Sequence, residues 1–115
     1  MRRGDIVLVD LDPAQGSESR KRRPAVVVSA DGANAAAERL RRGVVTIVPI
    51  TSNVARVYPF QLALSAEETG LDRASKAQAE QVRSVDVGRL SRPVGRMSTT
   101  LMSGLDDCLR LHLDL

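Results

Sequence analysis

Two stretches decide the fold class of this chain: Asp5-Ile6-Val7-Leu8-Val9-Asp10-Leu11 and Pro24-Ala25-Val26-Val27-Val28-Ser29. The first mixes β-branched and polar residues at strand period and is stopped by Asp12-Pro13. The second is a continuous apolar run, as in a buried strand, with Pro24 at the first position, where a strand tolerates proline. Ala14 to Arg23 between them reads as a long polar loop, and long loops often carry function. Working outward, Gly43 to Ile50 predicts a strand whose edge or end is marked by Pro49, and Tyr58 to Leu64 alternates as another. Glu67 to Asp72, with Gly70, predicts a turn; Ser75 to Arg83 a strand; Val94 to Met97 a short one. Asp31 to Arg42 reads as an Ala-rich helix capped by Asp31 and stopped by Gly43, packing weakly because Leu40 is its one large apolar residue. Ser98 or Thr99 caps a final helix with Leu101, Leu105, Cys108, Leu109 and His112 on one face and Met102 beside them. The tail from Leu109 to Leu115 also alternates at period two, but helix is the reading up to about His112. The expected architecture is mainly β with a C-terminal helix: five to seven short strands in a small twisted barrel, one domain over residues 1–115.

Composition excludes several functions. No apolar run approaches the roughly 20 residues of a membrane span, so no membrane association is expected. Met1-Arg2-Arg3-Gly4-Asp5 leads into a short apolar strand without a small-residue cleavage site, so no signal peptide is expected. Cys108 stands alone, which excludes an internal disulfide and suits a reducing cytoplasm. His112 is the one histidine. No zinc site of usual spacing, and no ribonuclease using two histidines, can be built within one subunit. Aromatics are 2% of the chain, Tyr58 and Phe60, too few for stacking platforms of the RRM or OB type. Seventeen Lys and Arg face fourteen Asp and Glu, and all but Lys21 and Lys76 of the basic residues are arginine. Guanidinium forks match phosphate oxygens, so the excess points to a polyanionic partner; genomic composition bias explains it equally well.

Four places carry possible chemistry. Arg20-Lys21-Arg22-Arg23-Pro24 closes the long loop, and Pro24 biases Arg23 toward an extended conformation. A fixed guanidinium there can offset phosphate charge, or the run is simply a solvated basic loop. Thr51-Ser52-Asn53 follows a strand, where hydroxyls are presented to a phosphate or ribose or serve ordinary turn chemistry. In Lys76-Ala77-Gln78-Ala79-Glu80-Gln81-Val82-Arg83, read as one strand, Lys76, Gln78, Glu80 and Val82 share a face and Ala77, Ala79, Gln81 and Arg83 the other. Such small residues beside Gln and Glu suit a groove for base edges, or a charged solvent face. Glu18 is either an acid–base group or an ion-pair partner of a nearby arginine.

Gly4-Asp5-Ile6-Val7, Asp10-Leu11-Asp12-Pro13, Gly16-Ser17-Glu18, Arg23-Pro24-Ala25-Val26-Val27-Val28-Ser29, Val48-Pro49-Ile50-Thr51-Ser52 and Ala79-Glu80-Gln81-Val82-Arg83-Ser84-Val85-Asp86 together resemble the MazF/PemK-type toxin endoribonucleases, in order along nearly the whole chain. The resemblance implies an SH3-like barrel that forms a homodimer. It implies a ribosome-independent endoribonuclease that cuts single-stranded RNA at short sequences without metal or cofactor, leaving 2′,3′-cyclic phosphate and 5′-hydroxyl ends. It puts catalysis on Arg23 and Thr51, with the loop Glu at Glu18. Lys21, Ser52, Gln78, Glu80, Gln81 and Arg83 are the expected substrate-binding residues. Some members carry an Arg and an Asp near positions 78 and 80 for acid–base work; this chain has Gln78 and Glu80 there. The expected protein partner is a cognate antitoxin with an acidic, disordered tail.

Two other functions compete. A gyrase-poisoning toxin of the same barrel shape needs an aromatic C-terminal tip, whereas this chain ends Leu113-Asp114-Leu115 and has no Trp. An SH3-like adaptor for Pro-rich peptides needs an aromatic-lined groove, for which two rings are too few.

Overall fold

The computed structural model describes residues 1–11 and 22–115. Strand β1 (Asp5–Asp10) pairs antiparallel with β2 (Arg22–Val27), Ile6 opposite Val26 and Val9 opposite Arg23. β2 thus begins before the apolar run does. The backbone ladder to β1 continues past the residues that bury side chains, so Arg22 and Arg23 are strand residues rather than loop, and Pro24 is third in its strand, opposite Leu8.

Helix α1 (Asp31–Leu40) follows. Its N-cap is Ala30, which offers no side chain; Asp31 lies in the first turn, and its carboxylate accepts from the Arg3 N–H at 2.6 Å. The helix closes at Arg41, in the left-handed region with φ 54, two residues before Gly43. Leu40 is 60% exposed, and α1 buries only Asn34 and Ala37.

Strand β3 (Val44–Thr51) runs down the middle of the sheet. Pro49 is buried within it rather than marking an edge. One side of β3 pairs with β2, Ala25 opposite Pro49 and Val27 opposite Ile47. The other side changes partner: β6 lies opposite Val44 to Ile47, and β5 opposite Ile50 and Thr51. Pro49 sits in the gap between those partners, where no ladder spans it on that side and a missing N–H costs least.

Strand β4 is shorter than the alternation suggests, Gln61–Leu64. Tyr58 to Phe60 form a turn instead, closed by the Gln61 N–H donating to the Tyr58 carbonyl at 2.8 Å. The expected turn at Glu67 to Asp72 contains one turn of helix, α2 (Ala66–Thr69), held by a Ser65/Glu68 capping box and closed by Gly70 at φ 77. The strand expected over Ser75 to Arg83 is two: β5 (Ser75–Gln78) and β6 (Arg83–Asp86), separated by a 3-10 turn at Ala79–Gln81. β5 belongs beside β4 and β6 beside the other half of β3, so the chain must step sideways between them. The face assignment read from simple alternation therefore fails beyond Gln78. β7 (Gly95–Arg96) pairs with β1, and α3 (Thr99–Leu113) ends the chain, its Ser98 cap accepting from the Leu101 N–H at 3.1 Å. Helix prevails over the period-two tail because the stripe Met102, Leu105 and Cys108 is buried against the sheet; His112 is exposed.

The result is a mainly β half-barrel in the order β4-β5-β3-β2-β1-β7, with β6 on β3. Its two faces carry separate cores. Ile6, Val26, Val48, Ile50, Leu64 and Ala77 pack under α3, while Val7, Val9, Ala25, Val27, Val45 and Ile47 pack with Ala37 of α1 and Val85. Burial pushes the Cys108 thiol up, and the neighbouring Asp107 carboxylate adds to the rise. Gly95 is a close approach: a Cβ there would collide with the Thr69 carbonyl oxygen, a backbone atom unable to swing away. Gly95→Ala is expected to lower stability by about 1–3 kcal/mol, read as a reduced denaturant midpoint with unchanged slope.

Candidate active site

The site builds from the register of three strands. Thr51, last in β3, lies opposite Lys76 of β5, and Lys76 in turn opposite Ala63 of β4. On the other side the β2–β3 ladder ends at Ala25 opposite Pro49, two residues short of Arg23 on β2 and of Thr51 on β3. Directly opposed residues point to one face of a sheet. Thr51, Lys76 and Ala63 therefore form a row across β3, β5 and β4, on the α1 side but beyond its cover, and alternation from Ala25 puts Arg23 on the same face of β2. Thr51 is half-buried, and its hydroxyl accepts from the Asn53 N–H at 3.2 Å. Arg23 is exposed.

Gln78 and Arg83 join the same face, Gln78 opposite Gln61 and Arg83 opposite Ile47. Gln81 is exposed on the 3-10 turn. Ser52 belongs elsewhere. It lines a cavity of about 420 Å³ at the same end of the sheet, with Arg22, Arg23 and Arg73 above an apolar floor that includes Leu8 and Ile50. Thr51 is not in that lining. Glu18 and Lys21 lie outside the described residues.

The segment from Ser52 to Phe60 folds over the row and is braced from below. The Lys76 ammonium donates to the Arg56 carbonyl at 2.6 Å and lies 5.9 Å from the centre of the Tyr58 ring. Gln61, itself buried, accepts from the Tyr58 N–H at 3.1 Å and donates to Glu80 Oε2 at 2.7 Å. Glu80 Oε1 is buried without a hydrogen-bond partner. Tyr58 and Phe60 stack in parallel with centroids 5.5 Å apart, and the Arg56 guanidinium lies 5.9 Å from the Tyr58 ring centre. Among the described residues, no group of three or more His, Cys, Asp or Glu is gathered as for a metal ion.

Arg56, Gln61 and Arg73 are absent from the residues expected from the sequence, and Lys76 was read as part of the Lys76-to-Arg83 stretch without a substrate-binding role. The signal for Lys76 was present in the composition: one of only two lysines in an arginine-rich chain, opening a strand. Gln61 carried none, because its brace depends on the turn that shortens β4.

Comparison with known proteins gives a consistent picture. Residues 2–113 match the model of a family described as PemK-like, MazF-like toxin of type II toxin–antitoxin systems. The protein named endoribonuclease MazF9 of Mycobacterium tuberculosis (strain ATCC 25618 / H37Rv) is 63% identical over 115 residues, all of this chain and 98% of its own length. Among solved structures, a MazE–MazF complex from Deinococcus radiodurans matches with a TM-score of 0.80 at 26% identity, covering 100% of this chain and 96% of that one. An endoribonuclease in complex with its cognate antitoxin, from a mycobacterial species, matches with a TM-score of 0.77 at 20% identity over 100% and 96% of the two chains; at that identity it shows the fold alone.

The brace has a direct readout. Gln61→Leu keeps the bulk but removes the acceptor for Tyr58 and the donor to Glu80. It is expected to cost about 1–3 kcal/mol and to speed hydrogen exchange at the Tyr58 amide, measured by NMR, while amides in the β1–β2 ladder keep their protection.

Proposed function

Because the chain belongs to the family of PemK-like, MazF-like toxins of type II toxin–antitoxin systems, we propose that it is a sequence-specific endoribonuclease cutting single-stranded RNA. The observation that carries this reading is the 63% identity over the whole chain to a protein named an endoribonuclease. RNA brings its own nucleophile, a 2′-hydroxyl beside every phosphate. The enzyme need only align that hydroxyl, move protons and offset phosphate charge. Attack of the 2′-oxygen on phosphorus breaks the bond to the 5′-oxygen and leaves a 2′,3′-cyclic phosphate and a 5′-hydroxyl.

The row across the sheet supports the assignment of roles. Thr51 holds the scissile phosphate by its hydroxyl. Arg23, on the same face of the neighbouring strand β2, stabilises the charge on the phosphate and protonates the leaving oxygen. An arginine is a poor base, so a carboxylate takes the 2′-proton. Glu80 is committed to Gln61 through Oε2, and its Oε1 is shut off from solvent. That geometry suits a brace, so the base role falls to Glu18. Ser52, Lys21, Gln78, Gln81 and Arg83 contact the flanking nucleotides, chiefly by hydrogen bonds to splayed bases.

The working unit is a homodimer in the cytoplasm. Leu111, Leu113 and Leu115 are 58%, 49% and 85% exposed along the end of α3, an apolar surface that a second copy would cover. A cognate antitoxin with an acidic tail competes with RNA for the basic site.

Arg23→Ala is expected to abolish cleavage of a long RNA, with the melting temperature preserved because Arg23 is exposed. Thr51→Val should lower kcat/KM on the order of 10²-fold. Replacing ribose by deoxyribose at the cut site should stop the reaction, and EDTA should not; cleavage of the deoxy strand would exclude 2′-hydroxyl attack. In a separate pair, Glu18→Gln should lower kcat by roughly 10²–10⁴-fold and remove the acidic limb of the pH–rate profile. Glu80→Gln should keep that limb; the reverse pattern would move the base role to Glu80.

A further inference from the structure

A lysine is rarely buried unless a carboxylate neutralises it. Lys76 is 7% exposed, and no carboxylate among the described residues lies within ion-pair distance of its ammonium. Of its three N–H donors, one meets the Arg56 carbonyl at 2.6 Å. The Tyr58 ring, 5.9 Å away, adds a weak attraction. The same ring also has the Arg56 guanidinium at 5.9 Å. Two like charges gathered at one aromatic ring repel each other, and no carboxylate among the described residues pairs with either. Among the described residues the arrangement lacks a negative group, which a bound anion would supply.

The position of Lys76 says where that group sits. It lies directly opposite Thr51, and opposed residues of an antiparallel pair have Cβ atoms about 4.5–5.5 Å apart. Thr51 is thus flanked on its β5 side by Lys76, while its neighbour on the other side is β2, which carries Arg23 on the same face two residues beyond the last paired position, Ala25. We propose that Lys76 is a second positive charge of the phosphate site, a positioning residue that holds the RNA linkage at Thr51 from the side opposite Arg23. This deepens the endoribonuclease reading and rests on it. The ammonium does not have to leave its carbonyl partner to act. Fixed and largely removed from water, it acts on a phosphate more strongly than an exposed lysine would. Its length also sets the height of the Arg56–Tyr58 segment above the row, so charge and geometry must be separated by experiment.

Lys76→Gln retains an N–H donor for the Arg56 carbonyl without the charge, and Lys76→Arg retains the charge. The probe is a short RNA of the cleaved sequence carrying one deoxyribose at the cut site, so that it binds without reacting. For Lys76→Gln, affinity should fall about tenfold, and the slope of log K against log salt should shrink by about 0.7, the share of one phosphate contact on a single strand. Lys76→Arg should restore the slope. A folded Lys76→Gln protein with an unchanged slope overturns the proposal, because loss of a structural strut alone leaves the counterion count untouched. Should Lys76→Gln not fold, the wild-type protein decides. With ¹³C at the lysine ε-carbons only two signals arise, from Lys21 and Lys76. Lys21→Arg assigns them. The Lys76 signal must shift when the deoxy-substituted RNA binds, and a stationary signal overturns the proposal. Wild-type protein that neither cleaves RNA nor binds the probe refutes the endoribonuclease reading itself. Wild-type cleavage with an unaffected Lys76→Gln variant refutes only the role of Lys76.

Discussion

The register between β2, β3 and β5 is the constraint on which the rest depends. Side chains alternate along a strand, so a slip of one residue sends every one of them to the other face. Here the middle of β2 and of β3 is apolar on both faces, with Val26 and Val48 under α3 and Ala25, Val27 and Ile47 under α1. A slip in that middle would exchange one apolar side chain for another at small cost. The penalty comes from the ends. A one-residue slip would turn the Lys76 side chain away from the Arg56 carbonyl and toward the core that Ile50, Ala77 and Leu105 fill, where burying a charge without a partner costs several kcal/mol. The charged row thus fixes the pairing that positions it.

The existence of the strands and of the last helix was legible in local pattern. Asp5 to Asp10 and the stripe Met102, Leu105, Cys108 obey periods set by the chain alone. The errors fall where a neighbour decides. β2 takes in Arg22 and Arg23 because β1 has backbone groups left to pair. Pro49 enters the middle of β3 because the strand changes partner there. Ser75 to Arg83 divides because its halves belong on different neighbours. A single sequence does not display these pairings, so alternation past Gln78 was read with the wrong geometry.

The candidate site divides along the same line. Arg23 and Thr51 were visible as a guanidinium before a proline and a hydroxyl after a strand. Lys76 was visible at the head of the Lys76-to-Arg83 stretch but without a role in the site, and Gln61 was not visible at all, because their meaning lies in what covers them. Gln61 joins a turn amide to a carboxylate on a different element, and Lys76 reaches a carbonyl twenty residues away. Both bonds require the segment from Ser52 to Phe60 to be folded back over β5. That segment gains no apolar core of its own, since Val54, Val57 and Tyr58 are exposed. Its order must then come largely from these polar ties, each contributing about 0.5–1.5 kcal/mol against the entropy of ordering the residues between them.

The arginine excess alone does not identify a ligand. Arg2, Arg39, Arg41, Arg42, Arg83, Arg89 and Arg92 are exposed, and a solvated guanidinium needs no partner. Biased composition accounts for them as well as an RNA does. Arg3 and Arg96, where the sheet meets α3, have carboxylates in Asp106 and Asp5. Lys76 fits neither group: it is buried, and among the described residues no carboxylate pairs with it. Composition bias toward arginine does not explain a buried lysine, and its one hydrogen bond to the Arg56 carbonyl could be made by an uncharged donor. Its place opposite Thr51 therefore carries more information about a polyanionic ligand than the whole surplus of exposed arginine.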